Sequence, residues 1–259
     1  MQSLGIIGVG ELTESIVRGL RSGGFTGVIM LSPRNTERAQ TLAEECACQV
    51  LQDNQAVVDC SETVLLGVRP EHITSVANEV HLKPGQKLIS LAAGISLKQL
   101  RTAFPQADCV RAMLSCAAKL NRSTVVVCPP DAATANLLET LGQLVTLKDE
   151  DSFELATVAA CMNSWFYFLL HDLEQWLSEK GLPADQARAL VLGNIKDCVG
   201  SAESNPDKSL QSLGWAIATP GTFSAEGLSV LMHQPVSANW GAACEVVLDA
   251  LLTRTRPPQ

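Results

Sequence analysis

Apolar residues recur along the first 148 positions in short runs, at 3–9, 27–32, 63–68, 87–93, 109–114, 124–129 and 143–148. Most of these runs lack polar alternation, the pattern of strands covered on both faces. Between them lie amphipathic stretches at 11–23, closed by Gly23 and Gly24, at 36–46 and at 70–80. Strand and helix in turn predict a parallel sheet with right-handed crossovers. After Lys148 the texture changes. Residues 149–181 read as one long helix, with Asp or Ser near its start and Gly181 at its end. Pro183 opens another helix over 184–204, shorter helical pieces follow through 237–252, and the tail from 253 is expected to fray. The pattern therefore predicts an α/β domain, a doubly wound sheet over 1–149, followed by an all-helical domain over 150–259.

Within the long helix the stretch 159–170 (AACMNSWFYFLL) is apolar on nearly all sides. Such a helix must be buried, and in so small a helical domain a second subunit is the expected cover. No apolar run is read as reaching the length of a membrane span. The N-terminus carries no signal-peptide pattern, which points to a cytoplasmic protein.

Composition narrows the partners. The chain has 46% hydrophobic and 18% charged residues and a net charge of −8. That balance is globular, and it argues against nucleic acid or an anionic membrane as partner. The nine cysteines are scattered with no C-x-x-C pair, so they read as buried, reduced thiols, with no disulfide and no metal.

Gly8-Val9-Gly10-Glu11-Leu12-Thr13 lies between an apolar strand and a helix, the context that a dinucleotide fingerprint requires. Gly8 permits the tight turn and Gly10 lets backbone approach a pyrophosphate, which the helix N-terminus receives beside Glu11 and Leu12. The alternative is a plain strand-to-helix turn. Thr13 stands where a small residue is wanted for helix-to-strand packing. The second strand ends in Ser32-Pro33-Arg34-Asn35, without the Asp or Glu of an NAD-preferring site. A hydroxyl and a guanidinium suit a 2′-phosphate, so the cofactor is read as NADP, against a merely solvated Arg34.

Taken together, these segments resemble the pyrroline-5-carboxylate reductase family nearly end to end. The resemblance is carried by IIGVGELTESIVRGL, Ser32-Pro33-Arg34, Asn54, Val68-Arg69-Pro70, ISLAAGISLKQL with Ala92 and Gly94, Val110-Arg111-Ala112-Met113, KGLPADQARAL and ATPGTFSAEGLSVL. It implies a Rossmann-type NADP domain followed by a helical dimerisation domain, in a homodimer or higher homo-oligomer. It also implies NADPH-dependent reduction of a cyclic imine acid, pyrroline-5-carboxylate to proline. Catalysis then consists largely of placing the reduced nicotinamide about 3–3.5 Å from an already electrophilic C=N carbon. Thr219 and Ser224 are the candidate hydroxyls for the substrate carboxylate, with an ordinary N-cap pair as the alternative.

The likeness breaks where substrate is expected. The family's Met-Pro-Asn-Thr-Pro is here Met113-Leu114-Ser115-Cys116-Ala117, which predicts a less rigid loop. Its Ser-Gly-Ser-Gly-Pro-Ala-Tyr becomes Ala159-Ala160-Cys161-Met162-Asn163-Ser164-Trp165, and Phe223 stands in the third loop. His171, on the face of Asn163, is read as a core or interface residue rather than a catalytic one. Two other functions stay open. One is an NADP-binding protein without turnover. The other is a 3-hydroxy-acid dehydrogenase, disfavoured because the first Lys after Asp149 is Lys180, at the far end of the long helix.

Overall fold

β1 (Ser3–Ile7) begins the chain and feeds α1 (Glu11–Ser22) across the glycine turn, and the computed structural model describes residues 3–233 and 236–255. β2 (Val28–Leu31) and α2 (Thr36–Cys46) follow, then β3 (Gln49–Val50), α3 (Asn54–Asp59), β4 (Thr63–Leu66), a 3-10 turn at Pro70–His72 and α4 (Ile73–Glu79). β5 (Lys87–Ser90), α5 (Leu97–Ala103), β6 (Asp108–Met113), β7 (Ser123–Cys128), α6 (Ala132–Leu138) and β8 (Gly142–Thr146) complete the α/β part. The helices α7 (Glu150–Glu179), α8 (Ala184–Glu203), α9 (Leu210–Ile217), α10 (Phe223–His233) and α11 (Val236–Thr255) follow, with no strand among the described residues there. Beyond Thr255 the tail expected to fray lies outside the described residues.

The eight strands form one sheet in the order β3-β2-β1-β4-β5-β6-β7-β8. β1 therefore lies between β2 and β4, the point where the winding reverses. Successive strand residues feed opposite layers. Leu4, Ile6, Ile29, Leu31 and Leu65 join the core under α1, α2 and α6. Ile7, Met30, Val64 and Leu66 join the core under α3, α4 and α5. This two-sided burial is why the strands read as apolar runs without alternation.

One expectation about the sheet is corrected. β7 runs antiparallel to β6, with Ala112 opposite Val127, while all other pairings are parallel. The link from 114 to 122 holds only a short 3-10 turn at Cys116–Leu120. A parallel crossover needs about a dozen residues or more, so the chain reverses instead.

Two compact units divide the chain: residues up to Ala160 with those from Val247 onward, and Cys161–Val246. In the first, the start of α7 is tied to the sheet by Arg111 of β6, which is fully buried. Arg111 Nη1 donates to Glu150 Oε1 at 2.8 Å and to Glu154 Oε1 at 2.7 Å, and the guanidinium lies 4.2 Å over the Phe153 ring. Glu150 Oε1 also accepts from Leu97 N–H at 2.8 Å, fastening the start of α5 to the same cation.

In the second unit, Trp240 meets Trp165 edge-on at 5.8 Å and Phe166 at 5.3 Å. Tyr167 (74%), Phe168 (71%) and Trp176 (56%) of α7 stand exposed in the single chain, where an all-apolar helix calls for cover. One 18-residue window of α7 reaches a mean hydropathy of 1.3, enough by length and composition alone to cross a membrane. Asn163, Ser164, His171 and Asp172 interrupt it, so the window passes on its average and not as an unbroken apolar run.

The cysteines also divide more finely than expected. All nine are free thiols, but only Cys46, Cys48, Cys109 and Cys128 are buried, whereas Cys60 and Cys198 are exposed. Burial raises the thiol pKa of Cys48, Cys109 and Cys128 to about 11, so these three are inert at neutral pH.

Candidate dinucleotide site and substrate loops

Gly8 follows β1 at φ +91°, and a Cβ there would come within 2.8 Å of the Gly67 carbonyl oxygen. The turn therefore needs glycine. Gly10 has the opposite surroundings: a Cβ added to it would meet nothing within 4 Å, so the space over the start of α1 is open. Gly10 N–H donates to Thr13 Oγ1 at 2.8 Å, and that hydroxyl lies 3.0 Å from both the Gly8 and the Gly10 carbonyls. Thr13 thus locks the turn from inside. The N–H groups of Glu11 and Leu12 open the helix, where no preceding carbonyl is placed to receive them. They and the positive helix end form a ready anion cradle.

Thr13 fits because the space is provided from the neighbouring strand. Its side chain is buried, and a Cβ on Gly67 would sit 2.3 Å from Thr13 Cγ2. The small residue that the fingerprint wants on the helix is found instead just past the end of β4.

The end of β2 separates two residues that the sequence had grouped. Ser32 is buried and its Oγ accepts from Gly8 N–H at 3.0 Å, joining two strand ends instead of facing solvent. Arg34 is exposed, and its guanidinium has no partner among the described residues. Other cations nearby are committed: Arg38 pairs with Glu14, and Arg18 bonds Glu14 at 2.9 Å and Glu45 at 2.7 Å. Asn35, which the sequence did not single out, donates from Nδ2 to the Val9 carbonyl at 3.1 Å and fixes the β2 turn to the glycine turn.

The remaining cofactor candidates follow the carboxyl edge of the sheet. Val68 packs against Gly8, while Arg69 is exposed at the start of the 3-10 turn that Pro70 opens. Ala92 N–H donates to Ser90 Oγ at 3.3 Å, and Gly94 turns the chain at φ +69°. Asn54 begins α3, where its Nδ2 donates to Glu79 Oε2 at 2.7 Å. Its amide oxygen and second N–H are left for a ligand.

The loop after β6 is better fixed than its missing prolines suggested. Ser115 N–H donates to Ser123 Oγ at 2.9 Å, and Ser115 Oγ accepts from Ala117 N–H. Leu114 is buried, and a Cβ on Gly19 of α1 would come 2.1 Å from the Ala118 carbonyl, so helix and loop are in close contact. Serine hydrogen bonds and a glycine contact replace the rigidity of proline.

In the helical unit, α7 runs unbroken through Met162 and Asn163, as expected without the family's glycines and proline. His171 is exposed in the single chain. Ahead of α10, the cap is Thr222, whose Oγ1 accepts from Ala225 N–H and donates to the Thr219 carbonyl at 2.8 Å. The hydroxyls of Thr219 and Ser224 are therefore not the capping pair, and among the described residues they have no partner. Phe223 beside them is 92% exposed.

Comparison with known proteins agrees with this division. A family model described as NADP oxidoreductase, coenzyme F420-dependent, matches residues 3–94, making that segment an NAD(P)-binding oxidoreductase domain. One described as pyrroline-5-carboxylate reductase dimerisation matches residues 150–251. Pyrroline-5-carboxylate reductase of Pasteurella multocida is 27% identical over 248 residues, covering 90% of each chain. That of Pseudomonas aeruginosa is 26% identical over 254 residues, covering 91% of this chain and 93% of that protein. Among solved structures, the reductase from Plasmodium falciparum with NADP bound shares the fold at a TM-score of 0.86 and 18% identity, over 98% of both chains. The Streptococcus pyogenes reductase does so at 0.84 and 24%, over 96% of this chain and 97% of that one.

Proposed function

Because the chain belongs to the pyrroline-5-carboxylate reductase family, we infer that it reduces a cyclic imine acid to the cyclic amino acid, with NADPH as the reductant. The observation that carries this reading is the open space over Gly10, with the Glu11 and Leu12 N–H groups facing it and an unpaired Arg34 at the end of the adjoining strand. A dinucleotide fits such a cradle, and the absence of Asp or Glu in the Ser32-Pro33-Arg34 turn favours the 2′-phosphorylated form. When bound, the cofactor supplies hydride. The chain's own residues hold and orient: Glu11 and Leu12 amides take the diphosphate, Arg34 takes the 2′-phosphate bidentately, and Val68, Arg69 and Pro70 line the crevice beyond. The free hydroxyls of Thr219 and Ser224 donate to the substrate carboxylate. Little acid–base machinery is needed, because a protonated imine carbon already accepts hydride.

The active species is a homo-oligomer that covers the exposed aromatic face of α7, and the nine free thiols support a cytoplasmic setting. Nucleic acid and membrane are not partners in this reading. Mixing the protein with NADPH and pyrroline-5-carboxylate and following absorbance of the reduced nicotinamide tests it directly. Oxidation of NADPH, faster than with NADH, is the expected result.

A second reading, a dinucleotide-binding protein without turnover, is favoured by the unbroken α7 at Met162 and the exposed Phe223. Tight NADPH binding with no oxidation across a panel of cyclic imines would establish it. A 3-hydroxy-acid dehydrogenase is disfavoured, since Lys180 lies beyond the end of α7.

A further inference from the structure

We infer that Arg254, near the end of α11, is a cofactor contact that favours the reduced nicotinamide over the oxidised one. The inference rests on the dinucleotide reading above and extends it to a residue outside the α/β segment. β1, β4 and β5 are neighbours in the sheet, so the turns after them share one edge. In an open α/β sheet the dinucleotide lies across that edge, with its diphosphate on the first helix. Bound in that way, the adenosine half would extend toward β2 and Arg34, and the nicotinamide half toward the turns after β4 and β5.

The turn after β5 is where Arg254 arrives. A Cβ on Gly94 would lie 3.2 Å from Arg254 Cδ and 3.6 Å from its Cβ, so the arginine stem crosses the bare face of that glycine. Gln99 Nε2 donates to the Arg254 carbonyl at 3.2 Å and fixes the helix end to α5. Glu150, the carboxylate that reaches the start of α5, is already held by Arg111 and by Leu97 N–H. The Arg254 guanidinium is exposed and has no anionic partner among the described residues.

Charge then discriminates between the two redox forms. The oxidised nicotinamide ring carries a positive charge and the reduced ring carries none, while the phosphates are common to both. A guanidinium at that end attracts the phosphates of both forms and repels only the oxidised ring. Were the two charges about 6–8 Å apart in a half-solvated crevice, the repulsion would correspond to roughly threefold to tenfold in affinity. Product dinucleotide is thereby released in favour of fresh reductant.

The test is the ratio of dissociation constants for NADP+ and NADPH, measured by fluorescence titration on the full chain. Arg254→Met keeps an unbranched stem over Gly94 and removes the charge. The ratio is expected to fall by about threefold to tenfold in Arg254→Met. In Arg254→Lys, whose helix content by circular dichroism guards against misfolding, it should stay within about twofold of the original. A purely structural stem would leave the ratio unchanged in Arg254→Met, and that result overturns the inference while the cofactor reading stands. Failure of the unsubstituted chain to bind either dinucleotide overturns both.

Discussion

Replacing Gly67 by alanine tests how this chain accommodates a threonine in its dinucleotide turn. Gly67 has no left-handed backbone, so alanine carries no conformational penalty there. The obstacle is Thr13: the new Cβ would sit 2.3 Å from Cγ2, where ordinary contact begins at 3.4 Å. Helix α1 and β4 must therefore part by about 1 Å, or Thr13 must leave its position. Overpacking of this kind costs about 1–3 kcal/mol. Thr13→Ala alone costs about 2 kcal/mol, from a buried methyl of about 0.8 kcal/mol and hydroxyl bonds to the turn worth about 1 kcal/mol.

The two effects should not add. With Thr13 trimmed, the nearest neighbours left to the alanine at 67 are the Gly8 carbonyl at 3.0 Å and the residue 13 Cβ at 3.6 Å, and it gains from the lost flexibility of glycine in the unfolded chain. The double variant is expected to be about as stable as Thr13→Ala, a coupling of about 1–3 kcal/mol where independent sites add within about 0.5 kcal/mol. Urea unfolding of the four proteins at one fixed concentration measures it, because an oligomer's stability depends on concentration. NADPH titration beside it should show weakened binding in Gly67→Ala and recovery in the double variant. If Gly67→Ala costs the same with and without Thr13, the threonine is not what the glycine accommodates, and this account of the turn fails.

Arg34→Ala is expected to weaken NADPH binding by about tenfold and NADH binding by less than twofold, since a bidentate phosphate contact is lost only from the former; parallel fluorescence titrations check it. Arg111→Met leaves Glu154 buried without a cation and should cost about 3–5 kcal/mol in urea unfolding, most of it recovered in Arg111→Met with Glu154→Leu. Asp131 carries a pH signature. Burial acts to raise its carboxyl pKa, but the bonds from Lys87 and from Thr134 N–H outweigh it, and the folded value lies below 3.8. Its contribution to stability is therefore present above 3.8 and lost as pH falls through the lower folded value. Urea unfolding of Asp131→Asn across this range should show a flatter acid limb than the parent.

Helices of three or more turns were the most legible, whether or not one chain covers them. The helix read at 36–46 is α2, Thr36–Cys46, and the long helix read over 149–181 is observed as Glu150–Glu179. Short elements such as α3, α5 and α6, of six or seven residues, escaped because they complete too few turns to show a period. The reversal at β7 escaped because strand residues look alike in either direction; the shortness of the 114–122 link was its one sequence signal. At the cofactor edge, the Gly-x-Gly motif between strand and helix and the Ser32-Pro33-Arg34 turn drew the cofactor reading. Ser32 was grouped with Arg34 because a hydroxyl can serve a ligand or a neighbouring N–H, and its Oγ accepts from Gly8 N–H.

The two halves of the molecule differ in where their folding information is completed. The sheet unit closes its own core: α1, α2 and α6 cover one face, and α3, α4 and α5 cover the other. Its turn is then fixed by bonds that a single chain contains, from Thr13 to Gly8 and Gly10 and from Asn35 to Val9. The helical unit leaves Tyr167, Phe168 and Trp176 exposed, a surface that another copy of the same apolar face would cover without unpaired charge. A helix apolar on all sides has no inward direction until that copy is present. Met162 and Phe223 therefore stand out only by comparison with the reductase pattern, whereas Arg34 is exposed and without a partner among the described residues. The exposed aromatic face and Met162 share one helix, α7, so a change at Met162 is expected to disturb the packing of that face as well.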